Sequence, residues 1–331
     1  MSSYDRKAGI QIDLTEFGEV SEVVPFEDYM EIIQKDSISR IRLPETIDPD
    51  CKAPELRPEI ISEEYGASNE IVARLYLQQI ELMNKFCPFP EDVKRQVLLI
   101  LSECRANLIS ANNKKDKIIA GINAVYDKYS DGVQLNSDNT FRVDKVHNLE
   151  QDLKDFVDSL FSYYKYLIKI LKPLYGVEIN VPNYKVAVKE LKKIIPEDEE
   201  MYKFLLSNHK AIDIVSKIRN KLWHPSTKDY VSIKNFRLTE SGKIFPPSWH
   251  LFINNNCIFE NSIENDLKHL CTHALDFGEL FSICYIQRIK EPKMFTIGLI
   301  EEIPKDKRNP NKPVRFNVIQ EFLEPPQYPN Q

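Results

Sequence analysis

Glycine is scarce in this chain, and the loops that glycine builds are missing with it. Only 9 of the 331 residues are glycine, against an average share of about 7%. The sequence contains no GxGxxG dinucleotide motif, no GxSxG nucleophile elbow and no kinase motif. Ser241-Gly242-Lys243 resembles the end of a phosphate loop, but that loop needs glycine where Arg237 stands. We therefore expect no glycine-built nucleotide site and no cofactor.

Paired cysteines and long apolar runs are absent as well. The six cysteines include no CxxC pair, which argues against a disulfide scaffold or a zinc ribbon. No apolar run approaches the ~18 residues that a membrane-spanning helix needs. The first residues, MSSYDRKAGIQIDL, lack the basic, apolar and small regions of a signal peptide. These absences predict a cytoplasmic protein without a membrane partner.

Charge is distributed unevenly along the chain. The net charge is −6. Residues 1–67 carry 7 Lys/Arg and 16 Asp/Glu, a net charge of −9, so the remaining residues carry a net charge of +3. A mildly basic body fits an anionic partner such as nucleic acid, and it fits simple tuning of solubility equally well.

Proline divides the chain into a helical middle and two ends that are predicted to be irregular or extended. Five prolines lie in residues 25–58 and seven in residues 292–329, but none in residues 91–172. Four parts are predicted on this basis: an irregular acidic segment over 1–65, a helical extension over 66–144, a helical domain over 145–290 and a proline-rich tail over 291–331.

Apolar residues in the middle recur every three or four positions, as on one face of an α-helix. The longest stripe runs from Leu149 to Leu174. Further stripes predict helices over 73–87, 93–108, 184–195, 198–223 and 263–289. Strands are predicted over 231–236 and 250–259, with another pair over 295–303 and 314–319. The expected fold class is mainly α: an antiparallel helical bundle with a β-hairpin inserted at 231–259 and a helical N-terminal extension.

One short segment combines the residues that phosphate chemistry needs. It is IRNKLWHP, residues 218–225, at the C-terminal end of a predicted amphipathic helix. Arg219 offers a planar, permanently charged group suited to a phosphate or carboxylate. His224 can exchange a proton near neutral pH. Pro225 disfavours the α conformation at His224, so the helix is predicted to end there.

The segment resembles the motif of the HEPN superfamily of helical domains. Ribonuclease members of that superfamily carry arginine, a polar residue and then histidine near the end of a bundle helix. Arg219, Asn220 and His224 match this pattern in order and spacing. The resemblance covers about residues 145–290, because long helices are also predicted before and after the motif helix. It implies a HEPN-like bundle.

A second arginine and histidine with the same spacing test the specificity of the pattern. Arg142 and His147 are also five positions apart. This copy lacks a polar residue after the arginine and precedes a helix instead of closing one. We therefore place the candidate site at the Arg219 copy.

The resemblance implies a metal-independent endoribonuclease, a hydrolase that could serve as a toxin or a phage-defence effector. The RNA's own 2′-hydroxyl would attack the adjacent phosphate and leave a 2′,3′-cyclic end. His224 would act as general base or acid, and Arg219 would stabilise charge on the phosphoryl oxygens. Asn220 would orient His224 or hydrogen-bond the phosphate. No metal ligand takes part in this chemistry.

The partners implied by the resemblance are RNA, a second copy of the chain and an antitoxin or other protein. Family members dimerise so that two motifs face one groove, which a two-fold axis allows. Lys217 and Lys221, part of a stripe with Lys203 and Lys210, could track an RNA backbone or form a solvated face. Trp223 could stack a base, or it could belong to the core or the dimer interface.

A non-catalytic helical module is the alternative function. Such a module would bind RNA or a protein partner through the same groove without cutting. Loss of salt-sensitive RNA binding in Arg219→Ala, with the RNA left intact, would favour it.

Two further sets of residues offer weaker signals. His269 and His273 stand one helical turn apart, and zinc would need further ligands such as His250 or Cys257. The surrounding apolar stripe favours a structural role instead. Asp155 and Asp158 lie one turn apart and are expected to be solvated, although an acidic residue of that helix could enter the groove.

Overall fold

The structure is a computed structural model, and it describes residues 19–50, 52–53, 56–86, 89–129, 132–133, 140–179, 183–238, 243–289 and 296–322. The chain divides into two compact units. The first unit is drawn from residues 1–99 and 286–331, and the second from residues 100–285.

The first unit begins with a four-stranded antiparallel sheet in the order β1-β2-β3-β4. Its strands are β1 (Val20–Pro25), β2 (Met30–Gln34), β3 (Ile38–Arg42) and β4 (Glu59–Glu63), and the short helix α1 (Pro44–Ile47) follows β3. Ile32, Ile33 and Ile38 are fully buried. The buried Glu31 lies opposite Arg40, whose Nε donates to Glu31 Oε1 at 2.9 Å. Apolar burial and this cross-strand pair hold β2 against β3.

Helices follow the sheet. They are α2 (Glu70–Val72), a π-helical turn (Ala73–Leu77), α3 (Gln78–Phe86) and the long helix α4 (Glu91–Lys128). The Asn69 side chain caps α2 by accepting the N–H of Ile71 at 2.9 Å. Cys87, the last residue of the first predicted stripe, lies outside the described residues.

The second unit contains most of the helices predicted around the motif. They are α5 (Leu149–Leu167), a 3₁₀ turn (Ile168–Ile170), α6 (Leu171–Tyr175), α7 (Tyr184–Leu191), α8 (Glu200–Trp223) and α9 (Ile263–Ile289). Strands β5 (Tyr230–Lys234), β6 (Arg237–Leu238), β7 (Ile244–Phe245), β8 (Ser248–Ile253) and β9 (Asn256–Ser262) lie between α8 and α9. They form a three-stranded sheet, β5-β8-β9, and a separate pair, β6-β7.

The core of the second unit joins α5 to α9 through aromatic side chains. The fully buried Tyr163 donates its hydroxyl to the carbonyl of Ala274 at 2.7 Å. Tyr184 on α7 donates to the carbonyl of Tyr164 at 2.9 Å. Trp249 on β8 is fully buried and donates its indole N–H to Asp266 at 2.7 Å. These three buried donors thus have the partners that their burial requires.

The C-terminal strands belong to the first unit. β10 (Thr296–Glu302) and β11 (Phe316–Phe322) form an antiparallel pair with a 3₁₀ turn (Lys305–Lys307) between them. The buried Gln78 of α3 accepts the backbone N–H groups of Arg315 and Phe316 at 2.7 and 2.8 Å. In the predicted proline-rich tail, residues 291–295 and 323–331 lie outside the described residues.

The expected fold class, a mainly α protein built as a single antiparallel bundle, is wrong. The described residues form a mixed α/β structure with four sheets. Residues 20–63, expected to be irregular, carry the four-stranded sheet. Within the described residues no separate helical N-terminal extension is found, since the division between the two units falls inside α4 and splits the helices predicted over 66–144.

The inserted hairpin is also more elaborate than predicted. The expected strand 250–259 is two strands, β8 and β9, joined by a turn at Asn254 and Asn255. Both asparagines have positive φ, 51° and 61°, which is the conformation of a tight hairpin turn and one that asparagine tolerates.

Candidate functional site

Helix α8 ends where the sequence predicts. Its last residue is Trp223, and His224 leaves the helical conformation with φ −130° and ψ 64°. The N–H of His224 still donates to the carbonyl of Asn220 at 2.8 Å. Pro225 therefore closes the helix one residue after its final backbone hydrogen bond.

The apolar face of α8 holds the helix against the core. Of the predicted stripe, Val215, Ile218 and Leu222 are buried, and Ala211 is exposed. Helix α8 packs against both α5 and α7. The neighbouring α5 is the element that completes the surroundings of Arg219.

Arg219 is held by two side chains of α5. Its Nε donates to Oδ1 of Asp158 at 3.1 Å, and its guanidinium carbon lies 5.2 Å from the ring centroid of Phe161. A weaker hydrogen bond of 3.4 Å joins Nη1 to Oδ1 of Asn220. The side chains of Arg219 and Asp158 remain 31% and 35% exposed, so the outer N–H donors of the guanidinium stay accessible to an anion.

Asp155, one turn before Asp158, has a different environment. It accepts from Gln151 at 2.7 Å and lies 3.1 Å from Nζ of Lys114 on α4. The Gln151 amide and the Lys114 ammonium hold the pKa of this carboxyl below its usual range. The carboxylates of Asp155 and Asp158 therefore have different partners, and of the two only Asp158 contacts the motif.

His224 and Asn220 are exposed at the end of α8. The imidazole of His224 makes no hydrogen bond or ion pair to any residue that the structure describes. An exposed, unpaired imidazole can exchange protons with a bound molecule. The backbone carbonyl of Asn220 accepts the N–H of His224, and the side chain of Asn220 contacts Arg219.

Trp223 lies on the same face of α8 as Arg219. The indole is 42% exposed, so Trp223 is not a core residue. Nζ of Lys154 on α5 lies 5.9 Å from its ring and 2.9 Å from Oε1 of Glu150. The exposed indole offers an apolar platform beside the guanidinium of Arg219.

The structure does not bring the predicted lysines to this face. At 100° per residue, Lys217 and Lys221 each lie about 200° around the helix axis from Arg219. Lys221 is also neutralised by Asp229, whose Oδ2 lies 2.9 Å from Nζ. The N–H of Asn254 and the Lys221 ammonium hold the pKa of Asp229 below its usual range. Lys217 is exposed.

An open groove of about 590 Å³ lies along the first turns of α5 in the second unit. It is lined by Lys145, Asn148, Gln151, Lys154 and Asn235, among others. The amide of Asn235 shapes the groove by accepting the N–H of Val146 at 2.9 Å and donating to its carbonyl at 3.0 Å. Lys154 lines the groove and lies near Trp223, so it links the groove to the motif helix, although neither Arg219 nor His224 lines the groove.

Sequence reasoning missed Lys154 and Phe161 and treated Asp158 as solvated. Their spacing was the available signal: Lys154, Asp158 and Phe161 stand at positions i, i+4 and i+7, which share one face of a helix. Only the packing of α5 on α8 shows that this face meets Arg219 and Trp223.

The weak zinc hypothesis gains no support from the described residues, where no group of three His, Cys, Asp or Glu side chains is placed to hold a metal ion. His250 is buried in β8, and its Nε2 lies 3.4 Å from Ser248 and from Glu260. The exposed Cys257 lies 3.2 Å from the carbonyl of Phe259.

Comparison with known proteins identifies no relative. No protein-family model matches the chain, and no curated protein or solved structure matches it either. Within the described residues, no helix combines the length and apolar character needed to cross a membrane.

Proposed function

We propose that the chain is a metal-independent endoribonuclease of the HEPN type and that Arg219, Asn220 and His224 form its active site. The observation that carries the proposal is the Asp158–Arg219 ion pair of 3.1 Å. This pair orients a partly exposed guanidinium on the same terminal turns of α8 as an exposed, unpaired histidine.

The reaction needs only an acid–base group and a fixed cation. The 2′-oxygen forms a bond to phosphorus while the bond from phosphorus to the 5′-oxygen breaks, leaving a 2′,3′-cyclic phosphate and a 5′-hydroxyl. His224 takes the proton of the 2′-hydroxyl or gives one to the departing 5′-oxygen. Arg219 stabilises the charge that develops on the phosphoryl oxygens.

One imidazole cannot supply acid and base in the same step. A homodimer about a two-fold axis would place a second His224 across the same groove. The half-exposed Trp223 beside the site suits either a base of the RNA or a partner protein, such as a second copy or an antitoxin.

The test is a cleavage assay on the full chain with single-stranded RNA in excess EDTA. We expect cleavage that yields 2′,3′-cyclic ends and spares DNA of the same sequence, because DNA lacks the 2′-hydroxyl. His224→Ala should lower the rate by about 10²–10⁴-fold. The matched control is His147→Ala, in the other arginine–histidine pair, which should cut at the wild-type rate. Cleavage that stops in EDTA, or that persists in His224→Ala, would sink the proposal.

A non-catalytic module is the second candidate, and the same ion pair supports it. Asp158 neutralises Arg219 in part, and Lys221 and Lys203 are paired with Asp229 and Glu200. A surface so neutralised attracts RNA less strongly. RNA that remains intact with the wild-type chain would favour this function, and the weak positive charge favours a protein over RNA as its partner.

A further inference from the structure

The second unit contains another cavity, separate from the Arg219 surface, with a volume of about 420 Å³. It lies between α8, the strands β8 and β9, and α9. Ala211, Ile214, Val215 and Ile218 line it from α8, and Ile258 and Phe259 line it from β9. Its size and apolar walls are those of small-molecule sites in proteins.

Aromatic side chains form the buried part of this cavity. Trp249 is fully buried, and Tyr164 is 1% exposed. Phe259 packs edge-on against Trp249, with ring centroids 6.1 Å apart. Trp249 and Tyr164 are too buried for a guest to touch, and the partly exposed Phe259 is the ring that a planar aromatic guest can stack on or meet edge to face.

The charged group in the lining is already engaged. Oδ2 of Asp266 accepts the indole N–H of Trp249 at 2.7 Å. The amide of Asn261 lies 3.0 and 3.1 Å from the two oxygens of the same carboxylate. No lysine or arginine lines the cavity among the residues that the structure describes. An anionic guest would face this carboxylate without a nearby cation, which is costly, and the apolar walls offer a charged group few polar contacts.

Two imidazoles supply hydrogen-bonding groups. Nδ1 of His273 lies 3.0 Å from the hydroxyl of Tyr164, while Nε2 of His273 makes no hydrogen bond to a described residue. Burial lowers the pKa of His273 and raises that of Tyr164, so both are neutral at pH 7. His269, one turn away, also lines the cavity and has an unpaired ring within the described residues.

We propose that this cavity binds an uncharged, planar aromatic molecule with one hydrogen-bonding group, which His273 or His269 engages. The rim supports the assignment, because Ile214 and Ile258 are 42% and 56% exposed on its two sides. A guest would cover both apolar side chains. The proposal is independent of RNA cleavage.

N-phenyl-1-naphthylamine, an uncharged aromatic dye that fluoresces in apolar surroundings, tests the proposal by titration into the full chain. We expect a saturable signal with one dye bound per chain. Ala211→Trp on α8 and Ile258→Trp on β9 fill the cavity from opposite walls, and each should weaken binding at least tenfold. Leu206→Trp is the matched control, because Leu206 is an exposed residue of α8 that does not line the cavity.

Far-ultraviolet circular dichroism checks that each variant is folded. One correctly folded filling variant is enough to decide the test. If either Ala211→Trp or Ile258→Trp fails to fold, the other one is used. An unsaturable signal, or folded filling variants that bind the dye as Leu206→Trp does, would overturn the proposal.

Discussion

Nε of Arg219 donates to Oδ1 of Asp158 at 3.1 Å, which joins two residues 61 positions apart in the chain. Both side chains are about one-third exposed, so solvent screens the pair and it contributes no more than about 1 kcal/mol to stability. Its consequence is geometric: the guanidinium of Arg219 has a fixed direction at the surface of α8.

Removal of this anchor should reduce catalysis more than RNA binding. In Asp158→Ala, Arg219 remains charged but is free to reorient, and misplacing a catalytic group costs up to about 10²-fold in rate. We expect kcat for RNA cleavage to fall at least tenfold, while KM stays the same or decreases because a nearby negative charge is lost. Steady-state kinetics at constant salt measure both.

Asp155→Ala is the matched control for this prediction. It removes the same charge one turn away, where the carboxylate contacts Gln151 and Lys114 instead of Arg219. Its kcat should equal that of the wild type. Equal losses in the two variants would mean that overall charge, and not the position of Arg219, governs the rate.

Trp223→Ala should weaken RNA binding with little effect on stability. Stacking of one base on an aromatic ring is worth about 1–3 kcal/mol, so the dissociation constant should rise roughly tenfold. Fluorescence anisotropy with labelled single-stranded RNA, in the His224→Ala background to keep the RNA intact, measures this. Leu206→Ala, a similarly exposed apolar position of α8, should bind as the parent does. A change in sedimentation with unaltered RNA affinity would assign Trp223 to a protein interface instead.

His273 should make the chain more sensitive to acid. Burial lowers its pKa in the folded state below the ordinary 6.5, although Asp276 partly opposes this. Below pH 6.5 the unfolded chain therefore takes up a proton that the folded chain does not, and stability is lost as the pH falls. Above pH 6.5 His273 is neutral in both the folded and the unfolded chain, so it causes no further change of the free energy of unfolding with pH.

His273→Gln tests this linkage, because glutamine does not titrate and can still accept from Tyr164. Between pH 7.5 and 5.5, Tm should fall further in the wild type than in the variant. His250, whose pKa is also lowered by burial, titrates in both proteins and cancels from the comparison. Parallel Tm curves would contradict the prediction.

Gly66→Ala should strongly destabilise the first unit. A Cβ at this position would collide with the carbonyl oxygen of Gln34 and the backbone nitrogen of Ser37, and it would lie 2.7 Å from that of Asp36. Backbone atoms cannot move aside as a flexible side chain can, so we expect a loss of roughly 3 kcal/mol. Gly176→Ala is the comparison, since its Cβ meets open space and only its φ of +70° is strained, at a cost of about 1 kcal/mol. Equal urea denaturation midpoints for the two variants would contradict the steric explanation.

Local patterns in the sequence determined the helices and where the motif helix stops. The apolar spacing that predicted α5, α8 and α9 is a property of each segment alone, and so is the effect of Pro225 on His224. The turn at Asn254 and Asn255 was missed, although consecutive asparagines tolerate the positive φ of a tight hairpin turn.

The tertiary structure decided which of these elements meet. The sheet of residues 20–63 was missed because its strands are short and lie among prolines, and their hydrogen bonds go to other strands, which no local pattern records. Asp155 and Asp158 look alike in sequence, yet one pairs with Lys114 on α4 and the other with Arg219 on α8. Helix periodicity specifies a residue's face, and only packing specifies what that face contacts. The choice of motif therefore came from the sequence, and the groups that orient Arg219 came from the fold.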